Sequence, residues 1–251
     1  MRNALSKRDL ALIASIVDRY KSEGHELAKI LADGLAGLCF HSSLSPIIHS
    51  VRSRVKDPDH LRDKLERKML TAKAEGKQFA ITPDNLFEKV TDLAGIRILH
   101  LHTTQFPKIN EVLLRLLDLE EYKILEGPIA RVWDDEYGDF FQGCGIQTQV
   151  NKRLYTSVHY IVGSGERNLR TGEIQVRTLA EELWGEVDHT INYPHKCEVA
   201  TCQEQIKVLA RVTSGATRLV DSIFRAKADA EAELATKHSR TPAKKVKAHS
   251  K

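Results

Sequence analysis

Two carboxylates and a band of cations carry the chemistry that this chain's residue types and spacing allow. Asp92 lies just before Ala94-Gly95 and a strand-like run, and Glu173 opens another such run after Thr171-Gly172. Carboxylates at strand ends are a common way to hold Mg²⁺ over a phosphate, because that ion needs oxygen ligands on rigid supports. Arg52, Arg54, Lys56 and Lys64 are concentrated ahead of Asp92, and Arg97 follows it. Such cations neutralise the charge that a triphosphate develops during transfer. Tyr155, an aromatic at the start of a strand, is suited to stacking on a base. Taken singly, each feature has an ordinary structural reading: a solvated carboxylate, a wet helix face, a packing tyrosine. Neither a GxxxxGK[ST] loop nor a GxGxxG after a strand is present, so the phosphate-binding loops of those folds are excluded.

The elements that must position these residues fall into three stretches. Leu5, Leu10, Leu12, Ile13, Ile16 and Val17 form a helical stripe over residues 5–22. A break at Gly24 and a second helix from Glu26 to Cys39 follow. Asp57-Pro58-Asp59 reads as a cap into a helix over His60–Glu75, and Pro83-Asp84-Asn85 opens a short one. The texture changes at Gly95. Ile96–Leu101 alternates like a strand, residues 105–119 return to helical spacing, and Tyr122–Trp133, Gly145–Val150, Tyr155–Val162 and Gly172–Arg177 read as strands. Residues 178–191 form a helix containing Trp184 that stops near Pro194, and 201–236 form one long polar helix or two. The expected fold is α+β: a mixed sheet of four or five strands flanked by helices. The expected organisation is N-terminal helices over 1–46, the sheet domain over 47–195, C-terminal helices over 196–236 and a disordered basic tail over 237–251.

Of 251 residues, 41% are hydrophobic and 29% charged, as in a globular protein, and no apolar run approaches the roughly 20 residues of a membrane helix. No signal peptide is read at the N-terminus, so a cytoplasmic location without membrane attachment is expected. The net charge of +4 is an average over unlike parts. Six of the 38 Lys and Arg lie in residues 237–251, leaving 32 against 34 acids elsewhere. The basic excess is thus a tail, solvated or touching nucleic acid. Four cysteines are expected as free thiols. His189, His195, Cys197 and Cys202 match no standard zinc spacing and read as the end of a helix and the loop after it.

The order of blocks narrows the function. SRVKDPDHLRDKLERK, DLAGIR, YTSVHYIV, EIQVRT and EELWGEVDH follow one another along the chain. This series resembles the synthetase domain of the RelA/SpoT family, the enzymes that make the alarmone (p)ppGpp, over about residues 47–195. The resemblance implies a nucleotidyltransferase-like sheet, Mg²⁺ as cofactor, and transfer of the β,γ-pyrophosphate of ATP to the 3′ hydroxyl of GDP or GTP. It also implies roles. Arg54 and Arg97 sandwich the ATP adenine, and Lys56 and Lys64 contact its phosphates. Asp92 and Glu173 hold the metal, with Glu173 as general base. Tyr155 stacks on the acceptor base, with His159, Gln175 and Lys152 beside it.

The departures from the family pattern fall on the acceptor side. Where the family often reads Lys-x-x-Gly-Tyr, this chain has Asn151-Lys152-Arg153-Leu154-Tyr155. Glu182 stands where some small synthetases have an asparagine that reads guanine, and the stretch before the acceptor loop lacks the usual Lys-Asp-Tyr. The resemblance therefore leaves two further readings open. One is a toxin that pyrophosphorylates the tRNA 3′ end or makes adenosine alarmones, with an antitoxin partner. The other is an inactive nucleotide-binding domain. Too few residues precede the match for the family's hydrolase domain, so a single-domain small synthetase is expected, as a homo-oligomer.

Overall fold

The computed structural model describes residues 5–164, 169–193 and 196–239. It is an α+β fold with one six-stranded mixed sheet. The strands are β1 (Ser50–Val55), β2 (Ala94–His100), β3 (Lys123–Val132), β4 (Gln147–Val150), β5 (Ser157–Ser164) and β6 (Arg170–Thr178), in the spatial order β1-β2-β6-β5-β3-β4. The β2–β6 and β3–β4 pairs are parallel and the other three antiparallel.

The helices are α1 (Lys7–Arg19), α2 (His25–Leu38), α3 (Pro58–Ala74), α4 (Leu86–Lys89), α5 (Phe106–Leu119), α6 (Asp135–Gly143), α7 (Leu179–Asn192) and α8 (Ala200–Ser239). Their starts follow from local chemistry. Ser6 and Asp9 form a reciprocal capping box at α1. Asp57 caps α3 by accepting from the Asp59 and His60 amides, with Pro58 in the first turn, where its missing N–H costs nothing. Thr178 caps α7 through the Glu181 amide.

The sheet has two unlike faces. Ile96, Ile98, Val158, Tyr160, Ile174 and Val176 are fully buried or nearly so on one face, packed in a single core with residues of α1, α2, α3 and α5. Close packing there needs Gly172, where a Cβ would sit 3.1 Å from Leu35 and 3.3 Å from Leu31. Strand alternation turns the intervening residues to the opposite face. The register then aligns them across strands: Arg54 opposite Gly95, Gly95 opposite Glu173, Arg52 opposite Arg97, Arg97 opposite Gln175, and Gln175 opposite His159. The core alternation of β2, β5 and β6 thereby builds the polar face.

Several expectations need correction. The sheet has six strands, because residues 50–55 form an edge strand that was read only as a basic segment. Gly24 does not break the N-terminal helix. A π-turn over Tyr20–Gly24 carries it straight into α2, and a Cβ at Gly24 would meet the Tyr20 ring at 2.8 Å. Between the expected strands, residues 135–143 form α6, capped by Asp134 accepting from the Tyr137 amide. Residues 201–236 belong to one continuous helix, and α8 continues through Ser239 into the expected tail. The rest of that tail lies outside the described residues.

Candidate active site

The ten candidate residues converge on the polar face. Asp92 precedes β2, and both its oxygens are taken by lysines: Lys56 Nζ lies 2.9 Å from Oδ2 and Lys64 Nζ 2.7 Å from Oδ1. Lys56 follows β1 and Lys64 sits two turns into α3, so strand end and helix are clamped on one carboxylate. Tyr20 reinforces the clamp by donating its hydroxyl to the Lys56 carbonyl at 2.7 Å. Burial alone would raise the Asp92 pKa, but Lys64 and Lys56 outweigh it and hold the carboxyl at about 2. Lys56 itself is buried, which pulls its ammonium down against the pull of Asp92.

Glu173 is the second acid. His159 Nδ1 lies 2.8 Å from its Oε1, and Gln175 donates Nε2 to its Oε2 at 2.9 Å. Burial pushes this carboxyl up, but the His159 and Gln175 contacts prevail and keep it below the usual range. Burial pushes the His159 imidazole down, so neutral imidazole beside carboxylate is the form at neutral pH. Asp92 and Glu173 line the same cavity of about 330 Å³, together with Lys64, Arg131, Tyr155 and His159. A small recess of about 50 Å³ joins both acids to Arg54 and Arg97. Two oxygen-donor side chains at one cavity, on strand-borne supports, suit Mg²⁺, which takes one or two carboxylates and leaves its other positions to water and phosphate. Among the described residues no group of three His, Cys, Asp or Glu could hold a metal. His195, part of the cluster weighed against zinc, lies outside the described residues.

Next to this lies a cavity of about 660 Å³ that Tyr155, Lys152, Arg97 and Gln175 line together with residues of α7 and α8. The loop that brings Lys152 and Tyr155 to it is organised by Asn151, whose Oδ1 accepts from the Arg153 amide at 2.9 Å and whose Nδ2 donates to the Tyr155 carbonyl at 3.0 Å. Leu154, in the position of the family's glycine, has φ +63°. The turn thus keeps a glycine-type conformation at a leucine, a strain that its packing with Trp184 and Ile206 offsets.

The site also contains contacts that motif reading missed. Tyr155 stacks on Trp184 at 5.6 Å between centroids and 23° between planes, and Arg131 donates to its hydroxyl at 3.4 Å. Glu182 Oε1 lies 3.1 Å from both Arg52 and Arg97, and its Oε2 pairs with Arg177. Glu186, one turn on, also pairs with Arg97 and lies 3.6 Å from Arg52. Three neighbouring strands thus offer one arginine each to two carboxylates of α7. Gly185 permits this approach, because a Cβ there would meet Arg177 Nη1 at 2.7 Å. Glu182 lines neither of the cavities that hold Tyr155, so the residue in the place of a guanine-reading asparagine is committed to arginines instead.

Comparison with known proteins gives this arrangement a context. Residues 53–198 match the domain described as the region found in RelA / SpoT proteins. The GTP pyrophosphokinase YjbM of Bacillus subtilis (strain 168) is 25% identical over 207 residues, covering 80% of this chain and 81% of that protein. Solved structures share the fold at lower identity. Small alarmone synthetase 1 from B. subtilis bound to its product pppGpp superposes with a TM-score of 0.52 and 18% identity, over 82% of this chain and 94% of that one. The same protein bound to AMPCPP gives 0.52 and 16%, over 83% and 96%. A GTP pyrophosphokinase family protein from Streptococcus pneumoniae gives 0.55 and 17%, over 91% and 98%. With the family match spanning more than half of its length, the chain belongs to the RelA/SpoT family.

Proposed function

We propose that this pyrophosphokinase-type transferase moves the β,γ-pyrophosphate of ATP to the 3′ hydroxyl of GDP or GTP, making (p)ppGpp. The observation that carries the reading is the meeting of Asp92, Glu173, Lys64 and Tyr155 at one cavity, with Arg54 and Arg97 beside the same two acids. Relatives named for GTP pyrophosphokinase activity, and a similar fold holding pppGpp in one structure and AMPCPP in another, support donor and acceptor alike.

The chain's own residues divide the work. Arg54 and Arg97 offer flat guanidinium surfaces to the adenine. Lys56 and Lys64 neutralise phosphate charge where they now neutralise Asp92. The acceptor 3′ oxygen attacks the β-phosphorus in line, the bond from that phosphorus to the α-phosphate oxygen breaks, and AMP leaves. Glu173, kept ionised, accepts the 3′ hydroxyl proton, while His159 and Gln175 fix its orientation. Asp92 and Glu173 would hold Mg²⁺, which would supply charge neutralisation at the phosphates. Among the described residues no helix is long and apolar enough to cross a membrane; the location that goes with this proposal is the cytoplasm. Val208, Val212, Leu219 and Ile223 are exposed along one side of α8, which favours a homo-oligomer that sedimentation would reveal.

The test is transfer from ATP labelled at the γ-phosphate, with GDP, GTP, ATP and deacylated tRNA as separate acceptors. Label on GDP or GTP is the expected result. Label on tRNA or ATP alone would replace the acceptor and point to a toxin, and transfer to none would remove the enzymatic reading.

A further inference from the structure

We propose that Asp188 reads the base of the acceptor, and that its carboxylate selects guanine through the N1–H and N2–H edge. The inference rests on the acceptor being seated beside Tyr155, as above, and goes beyond it by assigning the specificity to a residue.

Spacing gives α7 two working flanks. Glu182 and Glu186 recur at an interval of four and turn toward the arginines of β1 and β2. Trp184, Asp188 and Asn192 recur every four residues on the other flank. Trp184 stacks on Tyr155, so Asp188 stands one turn from the aromatic wall of the 660 Å³ cavity and lines the same space.

Asp188 is out of character with that space. Among the described lining residues it is the sole carboxylate, facing Lys152, Arg153, Lys196 and Lys207. Those cations suit phosphates. A carboxylate among them repels phosphates and weakens binding unless it meets donors on the ligand. Guanine presents two adjacent N–H donors on one edge, which a carboxylate accepts as a pair. Adenine presents one amino group next to a ring-nitrogen acceptor, which a carboxylate repels.

The carboxylate is also held in place. Asn192 Nδ2 donates to Asp188 Oδ1 at 2.8 Å. Asn192 Oδ1 in turn accepts from Gln203 Nε2 at 2.6 Å and from the Cys197 amide at 3.2 Å, and Gln203 Nε2 also reaches the Cys197 carbonyl at 3.0 Å. These bonds fix which way the Asn192 amide faces and therefore fix Asp188. No protein donor is described for Oδ2. Glu182 has no such freedom, being saturated by arginines.

The experiment exchanges the donor–acceptor pattern on both sides. Asp188→Asn keeps an oxygen for Asn192 and replaces the other by an amide N–H. Xanthine carries a carbonyl where guanine carries its 2-amino group. Binding of GDP and of xanthosine diphosphate to the full chain would be measured by calorimetry, alongside acceptor KM and thermal melting. Wild type should favour GDP by about 30-fold, and Asp188→Asn should reverse the preference. A folded Asp188→Asn variant that still favours GDP, or that loses both ligands equally, would overturn the assignment. Wild type that binds no guanine nucleotide, while transferring to an adenine nucleotide or to RNA, would remove the guanine acceptor and this inference together. Retained GDP transfer with an unswitched preference removes this inference alone.

Discussion

Glu182 on α7 holds Arg97 on β2 through a 3.1 Å ion pair that spans 85 residues of sequence. The same carboxylate also holds Arg52 and Arg177, and it is almost wholly buried. Removing one side of a buried ion network leaves uncompensated charge, which costs about 3–5 kcal/mol. Glu182→Ala should therefore lower the melting temperature by about 10 °C. It should also raise the KM for ATP, because Arg97 is left with Glu186 as its carboxylate partner. Glu182→Gln should fall between the two. A melting temperature for Glu182→Ala within about 2 °C of wild type would show that the network contributes little.

Glu173 accepts from His159 and Gln175 without being part of the core, so Glu173→Gln is a test of chemistry more than of folding. Glutamine keeps the size and one acceptor oxygen, yet cannot take a proton. Turnover at saturating substrates should fall at least about 1000-fold while the circular dichroism spectrum is unchanged. Turnover within a few-fold of wild type would end the assignment of Glu173 as general base.

These two residues mark how far the sequence could be read. Residue types near Asp92 and Glu173 were legible because motif and strand alternation coincide there. The helices α1, α3 and α5 were legible from their apolar spacing and caps. The edge strand β1 was not, since Ser50–Val55 alternates charge with only two valines and its pairing energy comes from β2. The Glu182 network and the Tyr155–Trp184 stack were not legible either. They join positions far apart in sequence, and only the fold decides which carboxylate meets which arginine.

A buried pair near the end of the sheet gives opposite pH signatures. His100 is fully buried and burial pushes its imidazole down to about 4. Its folded pKa is depressed, so the stability it confers is present above pH 6.5 and is lost as pH falls toward 4. Glu181 lines the same small cavity, and burial pushes its carboxyl up to about 7. One oxygen accepts from the Thr156 amide at 3.0 Å, and the other is buried without a hydrogen bond. Its folded pKa is raised, so its stability is full below pH 4.5 and is lost as pH rises through 7. Between pH 4.5 and 6.5 the two slopes oppose each other. Relative to wild type, Glu181→Gln should lose about 2–3 kcal/mol more on going from pH 7 to 4.5, and His100→Asn should lose correspondingly less. Urea midpoints at the two pH values check this, and parallel curves for all three proteins would contradict it.

The two flanks of α7 tie together events that happen on different substrates. One rod grips the arginines proposed for the donor and carries the aspartate proposed for the acceptor. A rotation of α7 that seated ATP against Arg97 would also swing Asp188, and the reverse would hold. Heterotropic linkage follows: the factor by which either nucleotide tightens the other must be the same in both directions. On these two proposals a helix so placed would act as a two-key lock, fully set only when both nucleotides are bound.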